Sequence, residues 1–196
     1  MTTIYLIRHG QASFGAESYD KLSPNGELQA KLLGQYFNQI LKEEPYVVAG
    51  SMQRHQQTAN LALAECFPDT HIVTDHAWNE FNHQQVFAQY EPRFNEPHLL
   101  KADVENETNP RAYLAKIFEG AIERWTGGDY HHEYDESWPD FKSRVETALQ
   151  NLSDELAKTK PRYAVVFTSG GVISVAAGKL LELNANRTFA LNWAIT

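Results

Sequence analysis

The chain has 196 residues, a length that suits one domain with a substantial hydrophobic core. Its formal net charge is -8, which argues against a broad nucleic-acid-binding surface. No apolar run is long enough to cross a bilayer, and the first residues show no signal-peptide pattern. The single cysteine, Cys66, rules out an internal disulfide and fits a reducing compartment. We therefore expect a cytoplasmic protein with neither nucleic-acid nor membrane partners.

The first predicted elements are a strand and a helix. Residues 3–7 form a short apolar run that ends at Arg8, which is typical of a strand buried on both faces. Ser23 and Pro24 are the residue types preferred at the N-cap and the first position of a helix. Apolar residues then recur at helical spacing and predict one buried stripe, formed by Leu28, Leu32, Tyr36, Phe37, Ile40 and Leu41.

The strand–helix pattern repeats along the chain. Strands are predicted at residues 46–49, 71–74 and 164–167, and helices at residues 53–66 and 172–183. Strands that alternate with helices favour a parallel sheet covered by helices on both faces. The sequence thus predicts an α/β fold, a three-layer α/β/α sandwich with a mainly parallel sheet.

The segment from residue 77 to residue 138 has a different composition, rich in aromatic, histidine, acidic and asparagine residues. Its one clear helix is predicted at Arg111–Trp125. We interpret 1–196 as a single domain in which 77–138 is an inserted cap over the C-terminal edge of the sheet, where α/β folds bind ligands. A further helix is predicted from Ser137 to about residue 158, and residues 191–196 look like the start of a strand.

Arg8, His9 and Gly10 directly follow the first strand. A side chain at this point projects from the carboxyl edge of the sheet, and a glycine lets backbone and ligand approach closely. Neutral imidazole can attack phosphorus, and a neighbouring arginine offers a planar fork of donors to phosphate oxygens. The alternative is an ion pair at the strand end beside a structural histidine. For these three residues alone, the ion pair with a structural histidine is favoured.

Arg54 lies at the start of the second predicted helix. A positive charge there faces the positive end of the helix dipole, so the position makes better sense if an anion is held by the helix N–H groups and the guanidinium. The alternative is an ordinary surface arginine, because the unfavourable dipole interaction amounts to only about 0.3–1 kcal/mol.

Glu80 lies between Trp78 and Phe81. Burial beside aromatic rings raises a carboxyl pKa and makes the group a usable proton donor. A departing alkoxide needs such a donor. A helix cap or a surface glutamate is the alternative.

Taken in chain order, these residues resemble the histidine phosphatase superfamily, which has the phosphoglycerate-mutase-like fold. The resemblance covers most of the chain, and the order and spacing of the short motifs make it specific. The matching residues are Arg8-His9-Gly10, Tyr19–Gly26, Gln29, Ala30, Ser51, Arg54, Gln57, Thr58, Asn79-Glu80, Glu136-Ser137-Trp138, Phe141, Arg144-Val145 and Gly170-Gly171-Val172-Ile173.

The resemblance implies a phosphomonoesterase that needs no metal and no cofactor. In the family's mechanism His9 accepts the phosphoryl group, Arg8 and Arg54 hold its oxygens, and Glu80 protonates the leaving group and then helps to activate water. The expected substrate is a small phosphorylated molecule. A mutase is less favoured, because no basic cluster in the 77–138 segment suggests a bisphosphate cofactor. The oligomeric state is left open.

One position departs from the family pattern. A second histidine usually precedes a glycine at the end of the late strand, whereas this chain has Ser169 before Gly170. Both residues are assigned to phosphate binding, but a serine hydroxyl brings no positive charge. Losing a charge-assisted hydrogen bond costs roughly 1.5–3 kcal/mol, or about tenfold to a hundredfold in rate if the loss is felt in the transition state.

Two interpretations therefore stay open. In the first, the site still turns over at a reduced rate, with His83 as a candidate auxiliary group in the pocket. In the second, the pocket binds phosphorylated ligands or partners without useful catalysis. The sequence favours the first, because the groups that carry the chemistry are otherwise all retained. The adjacent histidines His131 and His132 fit no common zinc pattern, so no metal site is predicted.

Overall fold

The computed structural model describes residues 1–13 and 20–192. Its elements in chain order are β1 (Thr3–Arg8), α1 (Pro24–Ile40), β2 (Tyr46–Ala49), α2 (Gln53–Ala64), β3 (Ile72–Thr74), α3 (His83–Tyr90), α4 (Pro97–Asn106), α5 (Pro110–Thr126), α6 (Trp138–Thr159), β4 (Tyr163–Thr168), α7 (Gly170–Leu180) and α8 (Ala185–Asn192). Most of the predicted strands and helices are found, with bounds that differ from the prediction by a few residues.

The four strands form one parallel sheet in the order β1-β4-β2-β3. Connections between parallel strands are almost always right-handed, and this rule explains which helices cover which face of the sheet. The chain moves in one direction across the sheet from β1 to β2 and β3, which puts α1 and α2 on one face. It then returns to β4, which puts the end of α6 on the other face. The predicted α/β class with a parallel sheet is confirmed.

Strand β1 is more exposed than the sequence suggested. Among the residues described, it pairs only with β4, and its own residues are exposed or half-buried. Strand β4 lies between β1 and β2 and is buried at every position. The prediction that residues 3–7 are buried on both faces was therefore wrong. Apolar composition does not distinguish an edge strand from a central one.

Helix α1 begins as predicted. Pro24 is its first residue, and Ser23 Oγ accepts the N–H of Gly26 at 3.1 Å. The buried stripe was predicted only in part. Phe37 and Leu41 lie in the core, where they pack with residues of β2, α2 and β4. Three other residues of that stripe are mostly exposed, namely Leu28 at 57%, Leu32 at 54% and Tyr36 at 54%.

The buried face of α1 depends on small residues, Ala30 and Gly34, which let α2 approach closely. A methyl group added at Gly34 would overlap the carbonyl oxygen of Ala62 and lie 2.8 Å from Cβ of Glu65. This close approach explains the error in the predicted stripe. Hydrophobic periodicity finds large apolar side chains, whereas the α1–α2 contact uses residues that have almost none.

We expect Gly34→Ala to lower the free energy of unfolding by about 1–2 kcal/mol, because overpacking against α2 outweighs the roughly 1 kcal/mol gained in helix propensity. Urea denaturation measures the change. The matched control is Gln35→Ala on the exposed side of the same helix, with an expected change of no more than about 0.5 kcal/mol. Equal stability of Gly34→Ala and the natural chain would contradict the close α1–α2 contact.

The chain divides into two compact units, Met1–Glu80 with Arg144–Thr196, and Phe81–Ser143. The second unit holds α3, α4 and α5, whereas the sequence indicated one clear helix there. Its core is aromatic: the ring of Trp125 lies 4.7 Å from Phe81 and 5.5 Å from Phe141 between centroids. The interpretation of this region as a cap inserted into a single domain stays a prediction.

The C-terminal residues also differ from expectation. Residues 191–196 were predicted to begin a strand, but Leu191 and Asn192 end helix α8, and residues 193–196 lie outside the described part. Helix α8 packs against α7, with Phe189 buried. Across residues 1–13 and 20–192, no helix has both the length and the apolar character needed to cross a membrane.

Candidate active site

The carboxyl ends of β1 and β4 lie side by side and bring His9 next to Ser169. Arg8 pairs with Thr168 in the register of the two strands, and the N–H of His9 donates to the carbonyl oxygen of Thr168 at 2.9 Å. The next residues along each strand are therefore neighbours. Strand β2 ends at the same edge, where the N–H of Gly50 donates to the carbonyl oxygen of Phe167 at 3.0 Å. This edge is where the sequence predicted the site.

The ring of His9 is held at both nitrogens. Nδ1 lies 2.7 Å from the carbonyl oxygen of Gly10, and Nε2 accepts from Nε of Arg54 at 3.1 Å. Because a carbonyl can only accept and a guanidinium can only donate, the ring proton sits on Nδ1 and the lone pair on Nε2. The nitrogen able to attack an electrophile is therefore the one that faces Arg54.

Arg54 is 3% exposed and makes a second strong contact. Its Nη1 lies 2.7 Å from Oδ1 of Asp20, and Oδ2 of Asp20 accepts the N–H of Gln53 at 2.8 Å. Gln53 is the first residue of α2, and Met52 before it makes no side-chain cap. An anion does lie at this helix start, held by a helix N–H and the guanidinium. In this structure it is the carboxylate of Asp20.

Thr58 links the backbone that follows β1 to the first turn of α2. The N–H of Gly10 donates to Oγ1 of Thr58 at 3.1 Å, and that hydroxyl donates to the carbonyl oxygen of Arg54 at 2.7 Å. A Cβ on Gly10 would overlap the carbonyl oxygen of Gly26, so only glycine fits where the chain leaves β1. These contacts fix the backbone on either side of the His9 ring.

Arg8 is exposed, in contrast to Arg54. Its guanidinium carbon lies 3.6 Å from the position that a Cβ on Gly170 would occupy, and the side chain of Asn192 closes on the same glycine. A cavity of about 390 Å³ is lined by Arg8, His9 and Gly10 together with residues of β1, α1 and α2. Arg54, Glu80 and Ser169 are not among its lining residues.

The surroundings of His9 keep its ring neutral. The pKa of His9 is lowered from 6.5 to about 4, chiefly by burial and also by the charges of Arg54 and Arg8, against the raising effects of the Gly10 hydrogen bond and the Asp20 carboxylate. The ring is therefore uncharged, and able to act as a nucleophile, at every pH well above 4. The positive charges of Arg8 and Arg54 favour the neutral imidazole, which is the nucleophilic form.

We expect the imidazole 15N signals of His9 to remain those of a neutral ring as the pH falls from 7 to 5, because protonation waits until about pH 4. Long-range 1H–15N correlation spectra measure this and also show which nitrogen carries the hydrogen. The exposed His98 provides an internal reference signal. A His9 titration centred at its ordinary value of 6.5 would contradict the burial described above.

Glu80 is half-buried and lies at the start of α7. Its Oε2 accepts the N–H of Gly171 at 3.0 Å, in the first turn of that helix. The backbone before Glu80 is held by Arg144, whose Nη1 donates to the carbonyl oxygens of Ala77 at 2.8 Å and Asn79 at 2.9 Å. These contacts bring Glu80 to the carboxyl end of β4, near Gly170.

The sequence analysis did not assign His55 to the site, although its ring lies beside both His9 and Ser169. Its ring is fully buried, its centroid lies 5.6 Å from that of His9, and its Nε2 lies 2.6 Å from Oγ of Ser169. Ser169 is fully buried too, so in this arrangement its hydroxyl contacts a histidine and not solvent. Asp20 was also missed. His55 follows Arg54 directly in sequence, and that adjacency was the one signal available.

The remaining predicted residue, His83, begins α3 in the second unit, where its ring lies 6.1 Å from that of Phe87. Its auxiliary role stays a prediction. Throughout the described ranges there is no group of three or more histidine, cysteine, aspartate or glutamate side chains close enough to hold a metal ion.

A family model described as the histidine phosphatase superfamily (branch 1) matches residues 4–113 and 88–196, which together span almost the whole chain. The protein belongs to the histidine phosphatase superfamily. Its resemblance to that superfamily in sequence is thereby confirmed. Members of this superfamily act on phosphate esters, so the half-buried neutral imidazole and its arginine neighbours lie in a fold associated with that chemistry. Among curated proteins, no sequence matches the chain.

Solved structures agree with this membership in fold. A phosphoglycerate mutase from Bacillus anthracis is 21% identical, with a TM-score of 0.64 over 91% of this chain and 79% of that one. A putative α-ribazole-5′-P phosphatase from Escherichia coli is 21% identical, with a TM-score of 0.62 over 95% and 83%. A mycobacterial glucosyl-3-phosphoglycerate phosphatase is 20% identical, with a TM-score of 0.57 over 94% and 82%. At these identities the likeness of this superfamily member to them is one of fold.

Proposed function

We propose that the protein is a metal-independent phosphomonoesterase that works through a phosphohistidine at His9. The observation that carries the proposal is the contact of His9 Nε2 with Nε of Arg54 at 3.1 Å, in a ring whose other nitrogen is fixed by Gly10. The attacking lone pair thus already faces a cation that can neutralise phosphoryl oxygens. Phosphoryl transfer depends mainly on such positioning and charge stabilisation.

The reaction proceeds in two displacements. In the first, Nε2 of His9 forms a bond to phosphorus, the ester oxygen leaves with the electrons of the P–O bond, and Glu80 gives that oxygen a proton. In the second, Glu80 takes a proton from water, the hydroxide attacks phosphorus, and the N–P bond breaks to release phosphate and neutral His9. Arg8 and Arg54 hold the phosphoryl oxygens in both steps. Glu80 would meet the substrate from the start of α7.

Small, singly phosphorylated substrates fit the charge of this chain best. A net charge of -8 repels highly anionic ligands. Two of the solved structures of the same fold are named as phosphatases of α-ribazole 5′-phosphate and glucosyl-3-phosphoglycerate, both small phosphorylated molecules. Together with the single Cys66, these features support a cytoplasmic enzyme acting on a small metabolite, and they favour hydrolysis over mutase chemistry.

The proposal is tested by trapping the intermediate. The protein is mixed with p-nitrophenyl phosphate in the presence of EDTA and quenched, and its peptides are examined by mass spectrometry. We expect steady turnover and a phosphoryl group on the peptide containing His9 that survives alkali and is lost in acid, as an N–P bond is. Turnover without a modified His9 would contradict the mechanism.

A second candidate function is a phospholigand-binding or partner-binding protein without useful catalysis. Two observations favour it: Nη1 of Arg54 is paired with Asp20 at 2.7 Å, and the sequence has Ser169, with no histidine, directly after β4. Titration calorimetry with inorganic phosphate distinguishes the two. Measurable phosphate affinity with no turnover of p-nitrophenyl phosphate would support the binding protein.

A further inference from the structure

His55 is a buried titratable group that the proposed mechanism does not use. It is fully buried, lies against the His9 ring with centroids 5.6 Å apart, and contacts Ser169 at 2.6 Å. A fully buried histidine needs partners for its polar atoms, since an unpaired polar group in the interior is costly. Its partner here comes from the end of β4, beside the nucleophile.

Ser169 uses its hydroxyl in an unusual way. It is the N-cap residue of α7, yet its side chain makes no capping hydrogen bond. Serine at that position ordinarily accepts an N–H from the first turn. Here the hydroxyl is directed to His55 instead, and the N–H of Gly171 is taken by Glu80. The bond to His55 therefore replaces a local interaction that the sequence was suited to make.

The surroundings of His55 fix where its hydrogen sits. Burial, with the neighbouring charges of His9 and Arg54, lowers its pKa to about 2, so the ring is neutral and carries one hydrogen. Nδ1 has no hydrogen-bond partner in the described chain, and it packs directly against Gly50. A buried N–H without an acceptor is rarer than an unused lone pair. With the hydrogen on Nε2, the ring donates to Oγ of Ser169, and the unpaired donor is then the serine hydroxyl, which can rotate, and not a fixed N–H packed against Gly50.

This assignment has a consequence for Ser169. Since its oxygen accepts from His55, its own hydroxyl hydrogen needs another acceptor. Among residues 1–13 and 20–192 that hydroxyl has His55 as its one hydrogen-bond partner. His9 lies beside Ser169 along the sheet edge, since the backbone N–H of His9 donates to the carbonyl oxygen of Thr168, the residue just before Ser169. A phosphoryl oxygen bound at His9 would provide the missing acceptor.

We propose that His55 is a positioning residue of the phosphoryl site, acting through Ser169: it holds the serine oxygen by donation from Nε2 and turns the hydroxyl hydrogen toward a phosphoryl group at His9. The inference rests on the proposed function. The pair supplies a neutral hydrogen-bond donor at the end of β4, where the superfamily resemblance led us to expect an imidazole. The imidazole is present, but it comes from α2.

Four variants test the pair with p-nitrophenyl phosphate: Ser169→Ala, His55→Phe, the double variant and His55→Gln. Loss of a hydrogen bond to a charged group should lower kcat by about tenfold to a hundredfold in either single variant. The double variant should be no slower than the slower single one, because both changes remove the same interaction. His55→Gln should recover part of the loss, since its amide can donate to Ser169.

The matched control is Ser174→Ala, which removes a fully buried hydroxyl that donates to the carbonyl oxygen of Gly170 at 2.8 Å within α7. It should leave kcat within about twofold. Imidazole 15N spectra of the natural chain should show the His55 hydrogen on Nε2. Losses that multiply in the double variant, a hydrogen on Nδ1, or an acid-stable phosphoserine at position 169 would each overturn the proposal.

Orthovanadate affinity separates failure of the pair from failure of the proposed function. If the natural chain binds vanadate but shows no turnover and no phosphohistidine, the phosphatase proposal fails. The pair is then supported if Ser169→Ala and His55→Phe weaken vanadate binding by the same factor. It is overturned if both variants bind vanadate as the natural chain does.

Discussion

Replacing His9 with Ala is expected to lower kcat for p-nitrophenyl phosphate by at least about a thousandfold, because the variant loses the only group proposed to form the covalent intermediate. The ring is half-buried and its Nε2 faces Arg54, so no other described imidazole takes its place. His55, the nearest one, has its Nε2 committed to Ser169. Steady-state assays with and without EDTA measure the loss.

The control for this variant is His98→Ala, which removes an exposed histidine of the second unit. It should keep turnover within about twofold of the natural rate. Circular dichroism and thermal unfolding confirm that both variants are folded. If His9→Ala retains more than about a tenth of the natural kcat, the nucleophile lies elsewhere and the phosphohistidine mechanism is wrong.

The second large effect is expected from Arg54→Met. The guanidinium contacts His9 and Asp20 and is 3% exposed, so its removal takes away a phosphate ligand and leaves the Asp20 carboxylate without its partner. We expect kcat/KM to fall by about a hundredfold to a thousandfold, a size typical of losing one preorganised group that stabilises the transition state. Arg54→Lys should recover little of the lost kcat/KM. A lysine ammonium lacks the planar fork of donors with which the guanidinium contacts both His9 and Asp20.

Arg93→Met is the matched control. Arg93 also forms a short ion pair, from Nη2 to Oδ1 of Asp103 at 2.6 Å, but its side chain is 48% exposed and lies in the second unit. Exposed pairs contribute about 0–1 kcal/mol to stability, and kcat/KM should stay within about threefold. If Arg54→Met behaves like Arg93→Met, Arg54 serves only to bind Asp20, and the phosphate site must be assigned to other donors.

The sequence allowed the frame of the site to be predicted because the signals for it are local. A short apolar run ending in Arg8-His9-Gly10 marks a strand end, and Ser23 with Pro24 marks a helix start. Both features depend on residues that are neighbours in the chain. Their structural consequences, the carboxyl edge of the sheet and the cap of α1, follow from backbone geometry alone.

Contacts between distant residues could not be predicted in this way. Asp20 meets Arg54 and His55 meets Ser169 because β1, β2 and β4 end, and α2 begins, at one edge of the sheet. Nothing in the local pattern distinguishes Asp20 from any other acidic residue before a helix. The expectation of an anion at the start of α2 was physically sound, but electrostatics alone does not say whether that anion is a ligand or a side chain of the same chain.

The prediction also confused exposed with buried positions on α1, where small residues make the contact with α2. The predicted stripe of α1 assigned Leu28 and Leu32 to the interior, whereas Ala30 and Gly34 face α2. Large apolar residues dominate a periodicity pattern whether or not they are buried. The bounds of the elements, by comparison, were close, because caps and prolines act through the backbone.

The hydroxyl of Thr58 ties the loop after β1 to the first turn of α2, through Gly10 on one side and Arg54 on the other. A displacement of α2 would therefore carry the attacking imidazole and its guanidinium neighbour along together. One hydroxyl thus couples the backbone beside the proposed nucleophile to the backbone of the residue that would hold the phosphoryl oxygens.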